Sequence, residues 1–384
     1  MPDAQPTGWL KLLLARDLGP GTFERLGLPV EDWPALPDAA PGELRRLGLN
    51  REQVRALREP DEALLAASEA WLQHSRHHLV ARTDAYYPPL LRRIGDAPVA
   101  LLVHGDPEWL LRPQIGIVGS RSATPGGLDL ARQFAGELAA AGLVVTSGLA
   151  AGVDGAAHAA ALAAGGATLA VAGTGPDRVY PARHRDLARR IVDNGAVIST
   201  FAPGTGPRAG HFPARNRIIS GMSAGVLVIE AGERSGSLIT ARLAGEQGRE
   251  VFAVPGSIRN PLARGCHRLI RDGARLVESA GDVLAELGPL VHELAGELEG
   301  LLTPAGRDDA LVPESALPEA DPELDALLKA MGHDPVSVDE LIARTSLTAQ
   351  AVSSMLLDLE LQGRVSALGG GRYSRIGCDQ ETAE

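Results

Sequence analysis

Six short apolar runs recur through the middle of this chain, at residues 115–118, 144–147, 168–171, 197–199, 226–229 and 251–254. Each is rich in valine or isoleucine, and most are followed by a loop of small residues. Strands covered on both faces have this near-continuous apolar character, whereas half-solvated strands alternate. Helical runs lie between them, at 128–141, 155–164, 184–194 and 238–247. Strand–helix alternation of this length requires right-handed crossovers. The expectation is an α/β fold: a Rossmann-like, doubly wound, mostly parallel sheet with its functional edge at the carboxyl ends of the strands. A further short strand is expected at 99–103.

A chain of 384 residues has room for two or three domains. Its hydrophobic content of 45% is ample for a core, and its 3% of aromatic residues means that Ala, Val, Leu and Ile must build it. The two cysteines, Cys266 and Cys378, are too far apart in sequence to form a disulfide framework or, alone, a metal site. No run is apolar enough for a membrane span, and the run from Trp9 to Ala15 is too short and weakly charged for a signal peptide. A cytoplasmic protein without cofactor or metal is expected.

The net charge of −11 is unfavourable for binding a polyanion, but its distribution is uneven. Residues 278–328 hold thirteen acidic side chains and one basic one, Arg307, which leaves the rest close to neutral. Residues 178–217 carry eight arginines. Only two lysines, Lys11 and Lys329, occur in the chain, so its cations are almost all guanidinium groups suited to bidentate phosphate contacts.

The flanks differ from the core. Residues 1–80 read as helical, with Gly19-Pro20-Gly21 and Gly48-Leu49-Asn50 as turns and Asn50 as an N-cap. The pair resembles two helix–hairpin–helix units offering backbone N–H groups to phosphates, or a sterile-alpha-motif-like domain; a small helical domain held by ordinary turns also fits. The core is expected over 81–288, closing with a helix at 282–287. An acidic linker spans 289–318. Residues 319–384 then read as helix, helix, helix, hairpin: a winged helix–turn–helix. Its third helix, the recognition position of such a fold, carries Gln350, Ser353 and Ser354 with Asp358 and Glu360 but no Arg or Lys, which favours protein contact over groove reading. Arg364, Arg372 and Arg375 keep a DNA role open.

Chemistry concentrates in the core loops. Gly119-Ser120-Arg121 follows the first parallel strand; Gly119 permits close backbone approach, and Ser120 and Arg121 can meet an anion. Thr124 and Pro125 fit the N-cap and first position of the next helix. The glycine spacing is not that of a dinucleotide fold, no ribose-binding acid ends the next strand, and no P-loop lysine motif occurs. Ser147 and Gly148 open a second loop, with Asp154 as a cap and His158 four residues on; the pair suits either acid–base work or a structural hydrogen-bonding role. Phe212, Arg215, Asn216 and Arg217 place an aromatic among cations, the combination a single strand needs for its bases and phosphates. Ser235, Gly236 and Ser237 set small donors at another helix start.

These motifs, in this order, with Leu149-Ala150, Tyr180-Pro181, Pro213-Ala214 and Glu230, resemble the DNA processing protein A family (DprA, also called Smf). The resemblance covers residues 81–288. It implies a non-enzymatic recombination mediator of natural transformation and competence. Such a protein binds incoming single-stranded DNA, helps load the RecA recombinase, displaces single-strand-binding protein, and forms a homodimer through the Rossmann-like core. It implies phosphate contacts for Arg121 and Arg215. Many relatives carry a basic residue where this chain has Ala214. The alternative is a nucleotide-processing enzyme or nucleotide sensor using Glu230 and the Asp154–His158 pair; the segment from Phe212 to Arg217 is what such an enzyme does not need.

Overall fold

The computed structural model describes residues 6–15, 18–302, 327, 330–331, 336–345, 347–361, 365–368 and 372–375. They fall into two compact units, divided after Pro304.

The first unit opens with helices α1 (Pro6–Leu14), α2 (Pro20–Arg25), α3 (Pro41–Arg46), α4 (Arg51–Arg58) and α5 (Glu62–Leu72), with a 3-10 segment, Val30–Asp38, between α2 and α3. Asn50 caps α4 as expected: its side chain accepts from Gln53 N–H (2.9 Å), and the Gln53 side chain accepts from Asn50 N–H (3.0 Å). Three of the chain's four tryptophans, Trp9, Trp33 and Trp71, lie here. Trp33 lies 5.5 Å from Phe23 and 6.5 Å from Trp9, centroid to centroid, inside a shell of leucines.

The helical reading of residues 1–80 fails at its end. Residues His77–Ala81 form a strand, β1, antiparallel to β2 (Ala100–Gly105). Pro88 and Pro89 break the chain between them and start a one-turn helix, α6 (Pro89–Arg92). The alternating core follows: β3 (Gln114–Gly119), α7 (Pro125–Ala140), β4 (Val144–Ser147), α8 (Val153–Ala163), β5 (Thr168–Val171), α9 (Arg185–Asp193), β6 (Gly195–Ser199), α10 (His211–Met222), β7 (Gly225–Ile229), α11 (Gly236–Glu246), β8 (Glu250–Ala253), α12 (Arg264–Arg271), β9 (Arg275–Leu276) and α13 (Ala280–Leu302).

The nine strands are ordered β1-β2-β6-β5-β4-β3-β7-β8-β9. β6 through β9 in that order are parallel, and β2 joins β6 antiparallel. The chain leaves β3 in one direction to make β4, β5 and β6, then returns to make β7, β8 and β9. The order therefore reverses between β3 and β7, and the crevice above their carboxyl ends is the topological switch point. Successive residues of β7 enter opposite cores. Val226 and Val228 pack with Ile218, Ile219 and Met222 of α10; Leu227 and Ile229 pack with Ala131, Phe134 and Leu138 of α7. Both faces are covered, which is why these strands carry no alternation.

The C-terminal end of the core differs from the expectation of a helix ending at residue 287 and a linker from 289. Helix α13 continues through Pro289 to Leu302. Val283, Leu287 and Leu294 share one helical face and are buried against the sheet, and this burial outweighs the backbone bond lost at Pro289. The acidic segment beyond it, 303–318, lies outside the described residues.

The second unit contains β10 (Val336–Ser337), α14 (Val338–Thr345), α15 (Ala349–Leu361), β11 (Val365–Leu368) and β12 (Arg372–Arg375), with sheet order β10-β12-β11. Leu327, Met331, Leu341, Val352, Leu356, Leu359 and Val365 form its core. This is the expected winged helix, with an added short strand, β10. The first helix of that reading is described only at Leu327, Ala330 and Met331; Arg364 and the tip of the hairpin lie outside the described residues.

Candidate nucleic-acid interface

Four loops meet over the β3–β7 crevice. They line an open groove of about 700 Å³ that contains Gly119, Ser120, Arg121, Phe212, Arg215, Asn216, Arg234 and Ser235 to Ser237. The first loop leaves β3 at Gly119, where a Cβ would come within 1.9 Å of the Ile229 carbonyl; only glycine lets β3 and the end of β7 approach this closely. Ser120 is buried and its Oγ accepts from Ser122 N–H (3.1 Å). That bond turns the chain and leaves Arg121 exposed, its guanidinium 5.2 Å from the centre of the Phe212 ring. No carboxylate pairs with Arg121 among the described residues. Thr124 caps α7 by accepting from Gly127 N–H (3.0 Å), with Pro125 at the first position, as the sequence predicts.

Phe212 and Pro213 lie in the first turn of α10. The Phe212 ring is half-buried and packs 5.9 Å from the ring of Tyr180, which is 49% exposed. Together Tyr180, Phe212 and Arg121 present aromatic faces with a cation at one side, a surface suited to stacking flat rings next to anionic groups. Tyr180 was not among the expected contact residues. Its position follows from tertiary packing, which no local pattern encodes. Arg234, also outside that set, is exposed at the rim.

Arg215 forms the floor. It is 3% exposed, and its Nη1 donates to the Val171 carbonyl (2.6 Å). Burial lowers its pKa to about 10, opposed by the nearby Asp154 carboxylate, so it remains a cation at neutral pH. Its Nε has no hydrogen-bond partner among the described residues. Asp154, fully enclosed, has its pKa raised by burial, with Arg215 and two backbone N–H groups working in the opposite direction.

Asp154 does not cap α8. It sits in the first turn, and its Oδ2 accepts from Gly148 N–H (3.2 Å) and Ala150 N–H (3.3 Å). Between them Leu149 adopts a left-handed conformation (φ 57°), and its carbonyl bonds His184 Nδ1 (2.9 Å). Ser147 is buried and donates to the Ile117 carbonyl (2.6 Å). Ser147 and the Gly148 N–H are thus spent within the protein and support the groove from beneath it. His158, the other half of the suggested acid–base pair, points elsewhere. It is buried with Nδ1 2.7 Å from Thr168 Oγ1, tying α8 to β5, and burial lowers its pKa to about 3.

Asn216 reaches the start of α11, where its Nδ2 is 3.4 Å from the Gly236 carbonyl. Ser235 caps that helix by accepting from Ser237 N–H (3.3 Å), and the two hydroxyls are 2.7 Å apart. Arg217 does not join the group. It pairs with Asp96 (Nη1 to Oδ2, 3.1 Å) and also donates to the Asp96 carbonyl, on the far side of α10. The helical period explains the split: residues two apart diverge by roughly 200°, whereas residues three and four apart converge, as Phe212, Arg215 and Asn216 do.

Glu230 ends β7 in a left-handed conformation (φ 51°). Its carboxylate accepts from Thr124 N–H (2.7 Å), Thr124 Oγ1 (2.6 Å) and Asn260 Nδ2 (3.1 Å). It holds the N-terminus of α7 to the end of β7. Among the described residues, no group of His, Cys, Asp and Glu forms a metal site, and no helix is long and apolar enough to cross a membrane.

Comparison with known proteins agrees with this geometry. The family described as DNA recombination-mediator protein A matches residues 78–288, and the DprA winged helix domain matches residues 312–371. The chain is 40% identical to protein Smf of Escherichia coli over 334 residues, 87% of this chain and 86% of that protein. It is similar to the X-ray structure of DNA processing protein A from Streptococcus pneumoniae, with TM-score 0.65 and 38% identity over 73% of this chain and 98% of that one. It is also similar to DNA processing protein A from Helicobacter pylori, whose structure concerns its single-stranded DNA binding mode, with TM-score 0.51 and 27% identity over 57% and 98% of the two chains.

Proposed function

Because the chain belongs to the DNA recombination-mediator protein A family, we propose that it binds single-stranded DNA in the switch-point groove and acts by holding the strand. The observation that carries this reading is the exposed Arg121, without a carboxylate partner among the described residues, lying over the face of Phe212 beside Tyr180. A polymer with alternating phosphates and exposed bases needs both a cation and an aromatic face at this spacing. Arg215 adds positive potential from below, and Arg234, Gly236 and Ser237 extend the contact along the groove. Gly119 and Ser120 set the close approach, Ser147 and Gly148 brace the loop beneath, and Asn216 fixes the α10–α11 corner.

The biological role that goes with this binding is mediation of recombination in natural transformation: loading RecA onto incoming DNA, with displacement of single-strand-binding protein, by a cytoplasmic homodimer. Residues 81–288 are the DNA-holding core in this reading, and residues 319–384 a module for protein contact. Glu230 gives less support to a nucleotide-cleaving activity, because its carboxylate is engaged by Thr124 and Asn260.

The test is binding of single- and double-stranded oligonucleotides, and of AMP, across a salt series, followed by RecA filament assembly on DNA coated with single-strand-binding protein. Tighter binding of the single strand with a salt-dependent affinity, and faster filament assembly, are expected. AMP turnover, or equal affinity for duplex and single strand, would overturn the reading.

A further inference from the structure

The sheet ends on β1 at one edge and on β9 at the other. Among the described residues β1 pairs only with β2. Two bonds bracket that ladder and set its phase: Gly105 N–H donates to the Arg76 carbonyl (2.9 Å), and Arg82 N–H to the Val99 carbonyl (3.0 Å). Antiparallel partners exchange bonds at every second residue. His78 and Val80 therefore face β2, and His77, Leu79 and Ala81 turn their backbone groups outward. Two of these groups are met locally: His77 N–H donates to the His74 carbonyl (3.0 Å), and the Ala81 carbonyl accepts from Asp84 N–H (2.9 Å). The His77 carbonyl, both Leu79 groups and the Ala81 N–H have no partner among the described residues.

These groups face a groove of about 1180 Å³, separate from the β3–β7 crevice. Leu72, half-buried, and Tyr86, exposed, provide apolar surface along it. Glu69, Asp84, Asp106 and Glu108 surround it, and no lysine or arginine lines it among the described residues. Three of the four carboxylates take up hydrogen bonds from neutral groups: Glu69 from Thr7 Oγ1, Asp84 from Tyr86 N–H and Asp106 from Glu108 N–H. Their negative charge is not cancelled by these bonds.

We propose that the β1 edge is a docking site for an extended segment of a partner protein that carries basic side chains and is added to the sheet as a further strand. Main-chain bonds to Leu79 and its neighbours supply the attachment, and alternate side chains meet the carboxylates. A second copy of this chain is the poorer occupant. Pairing β1 with β1 brings two sets of four carboxylates against each other, which costs free energy.

The experiment uses the full chain, free of DNA, and fluorescein-labelled peptides read by anisotropy. The probe is a ten-residue peptide alternating lysine and valine. Its comparators are the glutamate–valine peptide and two lysine–valine peptides N-methylated at odd or at even amides. The lysine peptide binds, the glutamate peptide binds at least about tenfold more weakly, and one methylation parity alone loses about tenfold, because only every second amide faces β1. Asp106→Lys with Glu108→Lys weakens binding to a similar degree. So does Leu79→Pro, which removes an outward N–H and no β1–β2 bond. If Leu79→Pro does not fold, as judged by circular dichroism, the methylation parity still decides. Failure of the lysine peptide to bind, equal binding of the glutamate peptide, or equal effects of both methylations overturns the proposal. A concentration-dependent dimer abolished by the Leu79 substitution also overturns it, assigning the edge to a second copy.

Discussion

The guanidinium of Arg121 lies 5.2 Å from the centre of the Phe212 ring, although 91 residues separate the two in sequence. Among the described residues no ion pair fixes Arg121 there, so either residue can be removed without leaving a buried charge unmatched. Phe212→Ala is expected to weaken single-strand binding by about 1–3 kcal/mol, the usual range for a base-stacking aromatic. Arg121→Ala should reduce the salt slope by about one phosphate's worth. Fluorescence titration at several salt concentrations separates the two effects; a slope unchanged by Arg121→Ala would mean that no phosphate sits on it.

Arg217 provides the contrasting case. Its guanidinium is spent on Asp96, away from the groove. Arg217→Ala should lower stability by about 1 kcal/mol in urea denaturation and leave the salt slope of DNA binding unchanged. A slope reduced as much as by Arg121→Ala would place Arg217 on the strand.

Gly148→Ala should disrupt the floor of the site. A Cβ there comes within 2.0 Å of Arg215 Nη1, and the buried guanidinium has to move off the Val171 carbonyl. The expected cost is roughly 1–3 kcal/mol of stability, with DNA affinity falling at the same time. Thermal melting and binding on the same preparation check both.

His158 predicts an acid-sensitive core. Its folded-state pKa of about 3 is below the unfolded value of 6.5, so the unfolded state binds the proton first as pH falls. The stability that depends on neutral His158 is fully present above pH 6.5 and is lost progressively towards pH 3. His158→Gln loses the ring's bond to Thr168 at every pH but does not titrate. Its deficit relative to the parent chain, measured in urea, should therefore shrink between pH 7.5 and pH 4.5, by on the order of 2–3 kcal/mol at about 1.4 kcal/mol per unit. A deficit constant with pH would contradict this.

Glu230→Gln tests a structural role against a chemical one. The amide cannot accept from both Thr124 groups and Asn260 as the carboxylate does, so a loss of about 1–3 kcal/mol is expected. Nucleotide turnover should be absent before and after the change. Melting curves and a sensitive AMP hydrolysis assay distinguish the outcomes.

The parallel core was legible because strands buried on both sides leave an unmixed apolar signature. Ranges 144–147 and 168–171 coincide with β4 and β5. β1 was missed because His77-His78 begins it and one of its edges is open, so burial imposes little pattern there. Helix α13 was cut short because the sequence from 278 to 318 is acidic and punctuated by Pro and Gly, whereas the pocket that receives Leu294 is made by distant residues. In the site, residue types were readable but their directions were not. Arg215 and Arg217 look equivalent in the sequence until 211–222 is read as a helix, which sends one under the groove and the other to Asp96. Asp154 looked like a cap because aspartate at a helix start usually is one; its actual bonds run backwards, to a loop whose left-handed Leu149 no local rule predicts.

The strand order also constrains how the protein is made. β3 is bordered by β4 and β7, and β7 is the fourth strand to follow it along the chain. While the ribosome is still adding residues before Gly225, one side of β3 has no neighbour and the wall formed by Gly232 to Ser237 does not exist. A nascent chain of that length already contains Arg121 and Phe212 but has no groove to put them in. On the proposed function, the groove is therefore completed late in synthesis, once β7 and the wall after it have been added, and fragments ending earlier than Ile229 should be unable to hold a strand and prone to pair through their exposed β3 edge.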